Sequence, residues 1–228
     1  MAGFKYQMHT HTTPCSACAI MTPAELAEAL ETEGYTGAIM TNHFFWGNTG
    51  IDRELPWEEF VRAYEQDYLE CKKEAARKQL DILFGVEEHI EGGLEILAYG
   101  LTPEMLYRHP ELRTHTIEAW NGVRKAYDIL IIQAHPFRTR SYNQIIGVFP
   151  LSLIDGIEVQ NSGNTEENDQ RAHEFAAEHP ELIFTSGADA HRQSHIPLGG
   201  IITQERITDD RKLVDILRSR QFDLIPVR

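Results

Sequence analysis

Six short segments of this chain end an apolar run with His, Glu or Asp. They are Met8-His9-Thr10-His11, Thr41-Asn42-His43, Gly85-Val86-Glu87-Glu88, Gln133-Ala134-His135-Pro136, Ile157-Glu158-Val159-Gln160-Asn161 and Gly187-Ala188-Asp189-Ala190-His191. Imidazole and carboxylate donors without an obligatory thiolate suit zinc, manganese or iron(II). Two or three such ions held together would bind a phosphate, activate a water and stabilise a leaving oxygen, which makes the chemistry hydrolysis at phosphorus or at a carbonyl. His9 and His11 lie two apart on a strand and therefore share a face. Asp189 and His191 repeat that spacing, and Gly187 permits close backbone approach beside them. Glu87 has two oxygens with which to bridge two ions. Pro136 is expected to keep His135 extended at its strand end. One such His alone reads as a strand cap bonded to a neighbouring carbonyl; six segments in series read as a built site. His109, His173, His179 and His89 fall in surface-like turn or helical contexts and are read as structural.

The elements that must position these residues alternate. The motifs follow β-like stretches at Phe4–Met8, Thr36–Met40, Ile82–Val86, Ile129–Gln133, Ile154–Val159 and Leu182–Ser186. Thr22-Pro23-Ala24-Glu25 supplies an N-cap, a proline at the first helical position and an acidic first turn. The helical stripe of Leu26, Ala29 and Leu30 stops at Gly34. Further helices are expected over Trp57–Lys78, Thr114–Ala126 and Thr165–Glu178, with Thr208 capping a last one through Ser219. Glu91-Gly92-Gly93 separates Ile82–Val86 from Leu94–Gly100 and suggests a hairpin. Alternating strands and helices imply parallel strands joined by helical crossovers. About seven strand candidates, each with its chemistry at the C-terminal end, point to a site at the mouth of a parallel barrel. The irregular stretch Phe44–Pro56 follows His43 directly and is expected on the pocket rim.

At 228 residues and 42% hydrophobic composition, the chain can bury one sizeable core, and a single domain over residues 1–228 is expected. A net charge of −14 argues against a nucleic-acid scaffold working through a basic surface, so no such partner is expected. An anionic substrate is still compatible, because divalent ions invert the local field. Three cysteines cannot complete a disulfide framework, and no apolar run reaches membrane-spanning length. A cytoplasmic protein without membrane association is the expectation.

The ordered set His9-Thr10-His11-Thr12-Thr13, Ile39-Met40-Thr41-Asn42-His43, Gly85-Val86-Glu87, Ala134-His135-Pro136, Gly156 to Asn161 and Gly187 to His191 resembles the PHP (polymerase and histidinol phosphatase) family of metal-dependent phosphoesterases. The resemblance covers roughly residues 5 to 200. It implies an α/β fold, a distorted parallel (β/α)7 barrel, with two or three divalent ions (Zn, Mn or Fe) at its mouth. It further implies His9, His11, Glu87 and Asp189 around one ion. Glu87 would bridge to a second ion that His135 also binds, and His43 and His191 would serve a third.

Three departures from the family pattern stand out. Asn42 replaces an Asp that would orient His43. Glu95 occupies the place of a second-ion His, with His115 as the alternative. The loop Pro14-Cys15-Ser16-Ala17-Cys18 offers the third ion no carboxylate, only Cys18 or, less favoured, Cys15; both cysteines read equally as small buried hydrophobes. Arg138 and Arg140, and beyond them Arg192, are candidates to bind the substrate phosphate, Arg138 foremost. His195 is a candidate general acid. The function implied is hydrolysis of a small phosphate ester through a metal-activated water. The rivals are an amidohydrolase on the same cluster, disfavoured because no lysine sits at a strand end near the motifs, and a non-catalytic sensor of a metal or phosphoryl ligand.

Overall fold

The computed structural model describes residues 3–141 and 143–227. The elements run β1 (Phe4–Thr10), α1 (Pro23–Thr32), β2 (Gly37–Met40), α2 (Trp57–Ala76), β3 (Asp81–His89), β4 (Glu95–Tyr99), α3 (Pro103–Tyr107), α4 (Ile117–Tyr127), β5 (Leu130–Gln133), β6 (Gly156–Asn161), α5 (Glu166–Glu178), β7 (Ile183–Gly187), β8 (Ile201–Thr203), α6 (Asp210–Ser219) and β9 (Phe222–Leu224). Local chemistry accounts for the helix starts. Thr22 and Glu25 form a reciprocal capping box on α1, and Thr116 and Thr165 cap α4 and α5. The last helix begins one residue later than the sequence suggested: Asp209, not Thr208, accepts the Lys212 amide, because a carboxylate at that place also meets the positive end of the helix.

The strands form one sheet in the order β7-β6-β5-β4-β3-β2-β1-β8-β9. β1, β2 and β3 run parallel to one another, as do β5, β6 and β7. β4 is antiparallel to both of its neighbours, so the sheet is mixed rather than wholly parallel. The cause is local. Ile90 donates to the Leu94 carbonyl at 2.8 Å, and Gly92 and Gly93 both take φ of +98°, which closes a tight hairpin. So short a connection leaves no room for the crossover that a parallel neighbour requires. The His11 amide donates to Ala190 O and the Ala190 amide to His9 O, tying the end of β1 to the segment beyond β7. The result is a nearly closed, barrel-shaped sheet.

Strand alternation sorts the core into two layers. Met40, Phe84, Val86, Ile96 and Ile131 pack with Leu26, Leu30, Phe60, Tyr64 and Trp120 of the surrounding helices. On the other face, Leu83, Leu97, Tyr99, Leu130 and Ile132 pack with Leu213, Val214 and Leu217 of α6. Counting by twos, Leu83 leads to Glu87 and Leu97 to Glu95, so both carboxylates emerge from this second face. Among the described residues, no helix is long and apolar enough to cross a membrane.

Candidate metal centre

The strand ends bring His9, His11, His43, Glu87, Glu95, His135, Asp189 and His191 to one place. Three sets of side chains each offer donor atoms within 4.8 Å of one another: His9, His11, Glu87 and Asp189; His43, Glu87 and Glu95; His11, His43 and His191. Glu87 stands at the centre. Its Oε1 lies 3.2 Å from His9 Nε2 and 3.0 Å from His135 Nε2. Its Oε2 lies 2.8 Å from His43 Nδ1 and 3.3 Å from His11 Nε2. Asp189 Oδ1 is 3.2 Å from His11 Nε2, and Glu95 Oε2 is 3.5 Å from His135 Nε2.

Apart from the His135–Glu87 pair, this proximity is not hydrogen bonding. His9 Nε2, His11 Nε2, His43 Nδ1 and Glu87 Oε2 are buried and have no hydrogen-bond partner among the described residues. Each such orphaned polar atom costs about 1–3 kcal/mol. Four of them aimed at a common space, beside a second carboxylate, form a donor set that a divalent cation fits and that a merely structural cluster does not.

Other side chains hold these donors in place. Glu158 accepts from the His135 amide at 2.9 Å and lies 3.1 Å from His9 Nδ1, so it turns His9 Nε2 toward Glu87. Ser16 Oγ lies 3.0 Å from His11 Nδ1, accepts the His43 amide at 2.9 Å and donates to Asn42 Oδ1 at 2.8 Å. Asn42 in turn donates to Asp67 Oδ2 at 2.7 Å. A carboxylate from α2 thus stands behind the position where Asn42 had removed one. A side chain on Gly187 would run into the Glu158 carboxylate and His9 Cβ, which accounts for glycine there. His135 and Asp189 both adopt positive φ, +29° and +50°. The extended conformation expected of His135 before Pro136 is overridden by the donor set around it, and strain of this kind gathers at functional sites.

Burial alone would depress His9, but the Glu87, Glu158 and Asp189 carboxylates reverse this and hold its pKa well above the usual range. Burial would raise Asp189, yet His9 and Arg138 hold it well below the ordinary carboxylate value. Burial pushes Glu88 up to about 8 while its Oε1 accepts the amides of Trp46, Gly47 and His89, which pins the loop after His43.

The cluster floors a cavity of about 450 Å³ walled by Trp46, Asn48, His89, Arg138, Arg140 and Cys18. Arg138 is itself 9% exposed. It donates to Asp189 Oδ2 at 2.8 Å, Asn164 Oδ1 at 2.9 Å and Asn161 Oδ1 at 2.5 Å. Three of its five donors are therefore committed to protein, foremost to a candidate ligand. Arg192 is exposed and His195 half-buried, and neither is among the described residues lining the cavity. His115 stacks on Trp46 and pairs with His89 at 2.9 Å, so Glu95 rather than His115 joins the cluster. His89, read as structural, lines the cavity. Cys15 is buried in the apolar core at 2% exposure, whereas Cys18 faces the cavity. Burial alone would raise the Cys18 thiol, but hydrogen bonds with His191 and His43 bring it down to about 6.

The residues that sequence reasoning left out are Glu158 as an orienting group, Ser16 and Asp67. Asp67 had a legible signal: it is a charged residue on the stripe of Phe60, Tyr64 and Cys71, which α2 buries.

No protein-family model matches the sequence, and neither does any curated protein. Solved structures do match. The chain is similar to a protein described as a metal-dependent phosphoesterase from Bifidobacterium adolescentis, with a TM-score of 0.56 at 16% identity, over 94% of this chain and 96% of that one. It is similar to a two-domain protein from Bacteroides vulgatus with a domain described as a PHP-like metal-dependent phosphoesterase. That TM-score is 0.68 at 13% identity, over 99% of this chain and 65% of the other. It is also similar to the lesion-specific endonuclease Q from Pyrococcus furiosus, with a TM-score of 0.64 at 12% identity, over 98% of this chain and 58% of the endonuclease. An amidohydrolase from Chromobacterium violaceum matches as well, with a TM-score of 0.57 at 14% identity, over 82% of this chain and 87% of that chain. The chain has a PHP-like fold with a His/Glu/Asp cluster at its mouth. At these identities the likeness is one of fold.

One expectation is overturned. Net charge argued against binding to a nucleic-acid scaffold, yet an endonuclease Q structure of similar fold holds a 27-mer duplex with an abasic lesion at its active site. Net charge averages over the whole surface, whereas binding responds to the field at the mouth, where Arg138 and Arg140 stand and cations would add to them.

Proposed function

We propose that this chain is a metal-dependent phosphoesterase whose ligands are His9, His11, His43, Glu87, Glu95, His135, Asp189 and His191. The observation that carries the proposal is the convergence of three buried, unpartnered imidazole nitrogens on Glu87, whose Oε2 is likewise unpartnered, beneath an open cavity. Divalent ions at such a centre supply Lewis-acid polarisation of a phosphoryl oxygen and make water a nucleophile at neutral pH.

The chain's own residues do the rest. Glu87 presents one oxygen to the His9 and His135 side and the other to the His11 and His43 side, as a bridging carboxylate must. Glu158 and Ser16 fix the far nitrogens of His9 and His11, so the near ones face inward. Arg138 holds Asp189 Oδ2 and leaves Oδ1 toward the two histidines. The remaining donors of Arg138, with Arg140, offer positive charge at the wall where a phosphoryl group would enter. An ester with a small phosphoryl end fits the cavity. Because endonuclease Q shares the fold, a nucleic-acid phosphate belongs among the substrates tested.

The amidohydrolase alternative draws on the Chromobacterium violaceum likeness. Against it, no lysine is among the described residues lining the cavity, and two arginines are. The test is turnover by protein reconstituted with Mn²⁺ or Zn²⁺ on p-nitrophenyl phosphate, a 5′-phosphorylated oligonucleotide and an anilide. Phosphate release that is lost in Asp189→Ala supports the proposal. Anilide cleavage without phosphate release transfers the site to the amidohydrolase reading, and no turnover with any of the three refutes catalysis on these ester and amide classes.

A further inference from the structure

We propose that Cys18 is a metal ligand, its thiolate joining His43 and His191 to make a zinc-preferring third cation position on the cavity side of the cluster. The inference deepens the metal-centre reading and rests on it.

Cys18 Sγ lies 3.0 Å from His191 Nε2. On the same ring, Nδ1 lies 2.8 Å from the Asp189 carbonyl, which can only accept, so Nδ1 carries a proton and, in the neutral ring, Nε2 holds its lone pair on the side of the sulfur. That lone pair is what a cation needs.

A second observation points to the same place independently of the cysteine. His11 and His43 are buried, each has a ring nitrogen without a hydrogen-bond partner among the described residues, and both group with His191 within 4.8 Å. The three rings lie against one another, with centroids 4.4 Å apart for His11 and His43 and 4.3 Å for His11 and His191. Three imidazoles bring no anion of their own. The loop after His11 contains no carboxylate, and its Ser16 hydroxyl is spent on His11, Asn42 and the His43 amide.

Cys18 is also held where it stands. On one side the Ala17 amide donates to Asn48 O at 2.8 Å, and on the other the Ile20 amide donates to His191 O at 3.0 Å. Cys15, three residues earlier, is packed in the core and plays no part. A thiolate beside imidazoles selects zinc over the harder manganese.

The test is a cobalt(II) titration of chelator-treated protein, read by absorption. The wild type should show visible ligand-field bands and a near-ultraviolet thiolate-to-cobalt charge-transfer band. Cys18→Ser should lose the near-ultraviolet band and one tightly bound equivalent while keeping ligand-field bands, and Cys15→Ser should match the wild type. A second measurement needs no variant: saturating Zn²⁺ should slow iodoacetamide modification of Cys18 by roughly tenfold or more, since the thiolate is the nucleophile, and Mn²⁺ should not. A charge-transfer band that survives in Cys18→Ser, or an alkylation rate indifferent to zinc, overturns the assignment of Cys18 alone. A wild type that binds no cobalt at all overturns the metal-centre reading with it.

Discussion

Arg138→Lys separates the two roles open to this side chain. Read from sequence, Arg138 is a fork for the substrate phosphate; in the structure most of its donors serve Asp189, Asn161 and Asn164. Removing the charge altogether would confound the experiment. A unit charge about 6 Å from a divalent ion interacts by about 5–6 kcal/mol at an effective dielectric of 20. That repulsion would be relieved in Arg138→Met and would mask any loss of positioning, which is worth about 1.4–2.8 kcal/mol for a 10–100-fold change in metal affinity. Lysine keeps the charge and cannot span three separated acceptors. Two charge-assisted bonds are then lost or weakened, about 3 kcal/mol in all at the lower end of their range. For a domain of this size that lowers Tm by roughly 6–12 °C. Metal affinity should fall ~10–100-fold as Asp189 loosens. The assays are differential scanning calorimetry of metal-free protein and competitive chelator titration. Unchanged Tm and metal affinity would refute the positioning role. If kcat/KM fell while both stayed normal, Arg138 would return to the substrate side.

Asp189→Ala and His135→Ala should each abolish turnover and lower metal content while circular dichroism stays native; near-normal activity in limiting metal would remove the residue from the ligand set. Asp67→Ala removes the shared acceptor of the buried Thr12 hydroxyl and Asn42 amide and leaves them their bond to each other, at about 1–3 kcal/mol. Calorimetry should show a lower Tm, and an unchanged one would mean that Asp67 does not support the His11 and His43 side. Asp210, at the start of α6, is pushed up by burial to about 6 from an ordinary 3.8. The folded state therefore binds more protons than the unfolded one, and stability falls as pH rises from about 4 to about 6. Asp210→Asn should escape that loss, gaining about 1–3 kcal/mol over the wild type at pH 8 relative to pH 4, as read by urea denaturation; a pH-independent difference would contradict the assignment.

Much of this arrangement is legible in the sequence because barrel strands deliver their C-terminal residues to one mouth. His9, His11, Asp189 and His191 needed only strand positions to be found. What was hidden depends on contacts between distant segments. The Pro14–Ala17 loop gives no hint that Ser16 will touch His11, His43 and Asn42 together. Asp67 lies 25 residues from Asn42, and only the packing of α2 on the sheet joins them. The direction of Arg138, inward to Asp189 rather than outward to substrate, follows from the positive φ at His135 and Phe137, a turn that the Pro136 rule alone predicts wrongly.

Glu95 shows how topology decides which end of a strand is chemical. The other candidate ligands stand at or just past the C-terminal ends of parallel strands, or near the end of β3 in the case of Glu87. Glu95 is the first residue of its strand, a position that in a wholly parallel barrel would fall at the opposite end, away from the mouth. β4 runs backwards, with His89 paired to Glu95 and Gly85 to Tyr99, so its beginning lies where its neighbours finish. The hairpin glycines that reverse the chain are therefore as much a part of the site as the carboxylate itself. Lengthening that turn toward a crossover would move Glu95 away from His135.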